Sequence, residues 1–154
     1  YTLTSSTAVQ KLFNSTTNGA YTVASGFTYE FECLVILTGM SGTSGNMGFS
    51  IIGAGNATLS SPAWFTAGLD GAGTGAAAGA SFSNTNAMTG NISTAATGTS
   101  FGARVYGNFQ CTADGTIIPS CKLTTASAAV VKAGSAFKIR KLISTSLTSV
   151  GAWS

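Results

Sequence analysis

The longest uninterrupted β pattern in the chain, residues 26–40 (GFTYEFECLVILTGM), constrains everything around it. Alternation places Phe27, Tyr29, Phe31, Cys33, Val35 and Leu37 on one face, and Thr28, Glu30, Glu32, Leu34, Ile36 and Thr38 on the other. The first face is apolar along its length. The second is polar through Glu32 and apolar at Leu34 and Ile36. A strand with one wet face that turns dry passes from a sheet's surface into a layer covered by something else, either a second sheet or another subunit. We therefore expect a central strand here and mark Leu34 and Ile36 as a candidate oligomer interface.

The other signals are also strands, separated by turn residues. Residues 1–13 alternate loosely and suggest one or two short strands before the Asn-, Thr- and Gly-rich turn at 14–19. After the turn at 41–46 (SGTSGN), Met47, Phe49 and Ile51 alternate with Gly48, Ser50 and Ile52, which reads as a hairpin partner of the central strand. Residues 59–69 contain Pro62 beside Trp64 and Phe65 and are expected to form an edge or irregular strand. Residues 70–80 (DGAGTGAAAGA) are low in complexity, without a triplet period and without the acidic partner of a dinucleotide fingerprint; a tight loop or small-residue contact fits. The polar stretch 81–100 is compatible with one or two short strands.

Residues 101–111 alternate clearly, with Phe101, Ala103, Val105, Gly107, Phe109 and Cys111 opposite Arg104, Tyr106, Asn108 and Gln110. Ala113-Asp114-Gly115 then predicts a turn, with residues 116–123 running back as the partner and Pro119 marking an edge or bulge. Residues 136–143 place Phe137, Ile139 and Ile143 inward and Lys138, Arg140 and Leu142 outward, and Trp153 is an expected late anchor. No helical periodicity persists beyond a turn or two. The expected fold is all-β with little or no helix, an antiparallel β-sandwich of jelly-roll-like type, in one domain spanning 1–154. The Cys and Trp spacing of an immunoglobulin-like sandwich is missing.

Charged residues make up 7% of the 154 residues, where a quarter or so is usual. No stretch approaches the roughly 20 apolar residues of a membrane span, so no membrane insertion is expected. The surface must be built from Ser, Thr, Asn, Gly and Ala, a composition suited to a large assembly. The net charge of +3 comes from scattered cations, only Lys138, Arg140 and Lys141 clustering, which argues against nucleic acid as a partner. Tyr1, with no initiator Met, signal peptide or lipidation box, is expected to be a trimmed or processed boundary.

The 154 residues include no histidine, which removes the commonest general base and metal ligand. Asp70 and Asp114 precede glycines in turns. Glu30 and Glu32 form the only candidate catalytic pair: their i, i+2 spacing puts the carboxyls about 7 Å apart, near the separation of an inverting glycosidase. Any exposed strand with two acids has that spacing, and the plainer reading has them opposing Arg104, Lys138 or Arg140 on neighbouring strands. Cys33, Cys111 and Cys121 lack zinc-site spacing and read as reduced, buried thiols, although a Cys111–Cys121 bridge depends on a register the sequence leaves open. No enzyme, metal site or cofactor is expected. Trp64, Phe65, Tyr106 and Trp153 suit either sugar stacking or core and interface anchoring, and we mark Trp64 and Tyr106 as candidate glycan contacts. Asn14, Asn56 and Asn91 lie in glycosylation acceptor patterns, as chance allows in a chain this rich in Asn, Ser and Thr.

The segments YTLTSSTAVQKLFN, NGAYTVASGFTYEFECLVILTGMSGTSGNMGFSIIG, GNFQCTADGTIIPSCKLTTA and VKAGSAFKIRKL, with the final SVGAWS, together resemble a β domain of tailed-bacteriophage virion proteins over nearly the whole chain. TYEFEC also resembles the aromatic strand of C1q-like and tumour-necrosis-factor-like trimeric jelly rolls. The resemblance implies a non-enzymatic spike, fibre, decoration or tail component on the virion surface. Its partners would be copies of itself in a homotrimer, other virion proteins, and a host surface receptor or glycan. The chain departs from a fibre in lacking a coiled-coil or triple-helical shaft. The alternative is a carbohydrate-binding adhesin module.

Overall fold

The computed structural model describes residues 1–4, 6–13, 19–41, 47–51, 55–70, 77–83 and 100–144. Eleven strands and no helix occur among them: β1 (Gln10–Lys11), β2 (Tyr21–Val23), β3 (Phe27–Thr38), β4 (Met47–Ser50), β5 (Thr58–Asp70), β6 (Ala77–Ser83), β7 (Ser100–Ala113), β8 (Gly115–Ile117), β9 (Ser120–Leu123), β10 (Val130–Val131) and β11 (Ala136–Ser144). The expectations for residues 84–99, for Trp153 and for Asn14 and Asn91 lie outside the described residues.

All strand pairs are antiparallel. The large sheet has the order β6-β5-β7-β3, and the far edge of β3 is shared by β11, along Phe27–Leu34, and β10, at Leu37 and Thr38. β3 is thus the interior strand its two-sided pattern calls for. The opposing layer consists of β1-β9-β4 and β2-β8. The two pieces share the run from β8 to β9, which is broken at Pro119, a residue that cannot donate to the ladder. The break is bridged by Leu12 N donating to the Pro119 carbonyl (2.9 Å) and Ile118 N donating to the Ile51 carbonyl (2.8 Å).

The chain crosses repeatedly between layers, in the jelly-roll-like manner of an antiparallel sandwich, and this overturns two expected hairpins. β4 does not pair with β3: both edges of β3 are occupied, and β4, buried on both sides, crosses to pair with β9. Nor does the segment after Asp114 run back along β7. The ribbons β2-β8 and β3-β7 are successive parts of one strand pair that folds over a corner, with Val23 opposite Gly115 and Phe27 opposite Cys111. Asp114 clamps that corner by accepting a 2.6 Å hydrogen bond from Ser25 N, and Gly26, at φ +79° where a side chain would be strained, donates to the Cys111 carbonyl.

β5 is also not an edge strand. It lies between β7 and β6, and its register slips between Ser60 and Ala63, so Pro62 falls in a bulge where no ladder bond is lost. Ser61 adopts a positive φ of 45° in this bulge. The extra residue changes the phase of the strand, so Leu59 and Trp64, five positions apart, both face the core.

Between the layers, the inward faces of β3 and β7 meet Met47, Phe49, Ile51, Ile117, Cys121 and Leu123 of the second layer. Phe31 is the centre of an aromatic group: Trp64 lies edge-on at 6.2 Å, Phe109 at 6.2 Å and Phe137 at 6.0 Å between ring centroids. Tyr29 stacks on Phe109 at 5.4 Å, and its buried ring keeps its hydroxyl satisfied by accepting from Ala24 N. Each such side chain contributes roughly 1.5–3 kcal/mol on burial. Gly107 stands opposite both Phe31 and Trp64 in register. A Cβ there would overlap the Ala63 carbonyl and the Trp64 backbone, so only glycine leaves room for the indole.

Candidate interaction surface

The outer face of the large sheet carries the side chains that alternation turns away from the core. Register aligns them in rows: Phe65, Tyr106, Glu32 and Lys138 in one; Ala67, Arg104, Leu34 and Ala136 in the next; Ala63, Asn108, Glu30 and Arg140 on the other side. The face is a small lattice of charged, aromatic and aliphatic groups.

The two acids have the cation partners expected of them. Arg104 Nε lies 2.7 Å from Glu32 Oε1 across a diagonal, and Arg140 Nη2 lies 2.6 Å from Glu30 Oε2 directly opposite. Both pairs are solvent-exposed, so each is worth only about 0–1 kcal/mol to the fold. The Arg104 guanidinium also sits 5.5 Å from the Tyr106 ring centroid. Tyr106 in turn stacks on Phe65, with centroids 5.6 Å apart and planes inclined by 24°. The two rings are 46% and 50% exposed, and beside them a groove of about 340 Å³ is bounded by Glu30, Glu32, Ala63, Arg104 and Asn108.

The marked residues have different fates. Leu34 is 41% exposed on the outer face, with Arg104 and Ala136 as its cross-strand neighbours. Ile36 is half-buried, covered by its own subunit: Ser135 Oγ accepts from Ile36 N at 2.9 Å, Lys132 N donates to the Ile36 carbonyl, and Gly134 lies over the side chain. Ile36 thus packs beside the turn before β11. Tyr106 lies on the open face. Trp64, marked as a candidate glycan contact, is wholly enclosed in the core, because the β5 bulge turns it inward over Gly107. Its neighbour Phe65 takes the outward position. Pro62 is the sequence signal for that change of phase, since a proline within a strand demands a bulge or an edge.

The three cysteines are free and buried. Burial raises the Cys33 thiol far above its ordinary range, with the nearby Cys121 adding to the effect. Burial pushes Cys121 up to about 12. Cys111 is raised for the same reason, and its thiol donates to the Ala113 carbonyl at 3.1 Å. Thiols held protonated in this way are poor nucleophiles and poor metal ligands. Asn56 uses its side-chain oxygen as a clasp, accepting from both the backbone N and the hydroxyl of Thr116. Among the described residues no group of three or more Cys, Asp or Glu is gathered as a metal site, and no helix is long and apolar enough to cross a membrane. No protein family model, curated protein or solved structure matches the chain.

Proposed function

We propose that this chain is a non-enzymatic structural component displayed on the outside of a tailed-phage particle, and that it assembles with copies of itself through the outer face of its large sheet. The observation that carries the reading is the exposure of Leu34, Phe65 and Tyr106 together on one open sheet face, in a chain whose surface is otherwise almost uncharged. Exposed aromatic and aliphatic groups beside an ordered arginine have the composition of an interface centre. The resemblance to virion β domains supports the phage setting, and the resemblance of TYEFEC to C1q-like and tumour-necrosis-factor-like trimeric jelly rolls supports a threefold assembly. The ion pairs at Glu30 and Glu32 support a surface role for the one acidic pair suited to hydrolysis.

The test is the native mass of the purified chain at micromolar concentration, by light scattering behind a sizing column. A homotrimer is expected. Leu34→Asp places a charge where a partner would bury an aliphatic side chain, and is expected to yield single subunits of unchanged secondary structure. A variant that keeps the wild-type mass would remove Leu34 from the interface.

A further inference from the structure

Residues 1–3 run as a short extended segment along the edge of β10 that faces away from β3. Tyr1 N donates to the Val131 carbonyl (3.2 Å), Val131 N donates back to the Tyr1 carbonyl (2.8 Å), and Leu3 N donates to the Ala129 carbonyl (2.8 Å), with Thr2 opposite Val130. Leu3 is 1% exposed and belongs to the core, while Thr2 is exposed. The seat therefore selects an extended segment in two ways: the ladder holds its backbone, and the core takes an aliphatic side chain at its third position.

The connection that follows is exposed at Thr4, Thr7, Ala8 and Val9. Its bonds from Thr4 to Gln10, from Gln10 to the Ser6 carbonyl and from Ala8 N to the Ser6 hydroxyl stay within the segment. The chain is then fixed in the other layer, through β1 on β9 and the enclosed Leu12. Extended, residues 4–9 span about 20 Å, so the first residues can leave their seat while β1 stays paired. A few backbone bonds and one buried side chain make residues 1–3 a unit that opens without the rest of the subunit. Neither residues 1–9 nor residues 124–131 carry a charged side chain, so two copies meet here without repulsion.

We infer that residues 1–3 exchange between copies of this chain, the Tyr1–Leu3 segment of one subunit seating along β10 of another. Each exchanged segment makes in its new seat the bonds it leaves in its own, which is what makes such exchange a low-cost link. In dilute solution a subunit keeps its own segment, because the short connection holds it at an effective concentration on the order of millimolar. Copies held side by side lose that bias. The link lies at the β10 end of the sheet and is separate from the outer-face contact proposed above.

Cysteines placed across the seat test the exchange. Thr2 and Val130 form a non-hydrogen-bonded antiparallel pair, the close spacing at which a disulfide fits. Thr2→Cys and Val130→Cys are made in separate full-length chains, both carrying Leu34→Asp so that the outer face does not enter, and one carrying a mass tag. They are mixed one to one at millimolar concentration in a glutathione redox buffer; the native cysteines are buried. A chain with both substitutions is expected to cross-link within itself, and one that fails to do so overturns the register. The mixture is expected to give a disulfide-linked product of one chain of each kind on a non-reducing gel. Adding Leu3→Asp, or the milder Leu3→Ser, to the Thr2→Cys chain is expected to abolish that product, with folding checked by circular dichroism. No mixed product from chains whose double variant cross-links overturns the exchange, as does a mixed product that survives the loss of Leu3. The native mass of the unmutated chain decides the outer-face contact separately.

Discussion

Trp64 and Phe65 are neighbours on β5, yet Trp64 is fully enclosed and Phe65 is half exposed. The indole rests edge-on against Phe31 over the space that Gly107 leaves free, within a core shared by both layers. The phenyl ring stacks on Tyr106 on the opposite face and keeps half of its surface exposed. Two large aromatic side chains thus sit in opposite settings: one packs between the two layers, and the other is half exposed on the outer face. Strand phase, more than residue type, decides which does which.

The contrast is most directly broken by truncating each ring in turn, in the Leu34→Asp background, which is expected to yield single subunits, so that assembly does not enter. Trp64→Ala is expected to lower the unfolding free energy by about 3–5 kcal/mol, as a large cavity opens in a two-layer core. Phe65→Ala in the same background is expected to cost less than about 1 kcal/mol, because the ring has little burial to lose. Denaturant titration followed by tryptophan fluorescence for the second variant and by circular dichroism for both reads the difference. Equal costs would mean that the outer face is covered within the subunit.

Gly107→Ala sharpens the comparison from the other strand. The added methyl meets Trp64 and the Ala63 carbonyl, and overpacking of this kind is expected to cost about 1–3 kcal/mol while leaving Phe65 and Tyr106 in place. The smallest effect is expected at the Asp114 corner. The hydrogen bond from Ser25 N, and then the Ser25 hydroxyl, hold the Asp114 carboxyl below its ordinary range. A carboxylate depressed in the folded state adds stability above its unfolded pKa and loses it as pH falls through that range toward the lower folded value. Asp114→Asn is therefore expected to be slightly less stable than wild type at neutral pH, with the difference vanishing in acid; a difference that persists in acid would assign the effect to the corner's shape instead of its charge.

The alternation of residues 26–40 makes both faces of β3 legible in the sequence, and that of 101–111 does the same for β7. The inward placement of Phe137 and Ile139, and the cations facing Glu30 and Glu32, follow from the same period. Strand partners are a different matter. β4 follows β3 after a short turn sequence, which suits a hairpin, but no local signal reveals that distant strands already occupy both edges of β3. The exposure of Leu34 could be anticipated from its face, whereas the covering of Ile36 depends on a turn at Lys132–Ser135 far along the chain. Trp64 was ambiguous because the bulge at Ser60–Ala63 resets the count by one, and the position of a bulge depends on the partner strand's register.

The ion pairs that flank β3 join residues 72 and 110 positions apart in the chain. At synthesis rates of roughly 5–20 residues per second, β3 emerges several seconds before either neighbour exists. This interior strand therefore spends its early life with both edges open, and its pairing carries the high loop-closure cost that slows β-rich folds. A chain ending before Ala136 would never close the second edge. Closure of the large sheet thus waits on the synthesis of β11, more than a hundred residues after β3 begins.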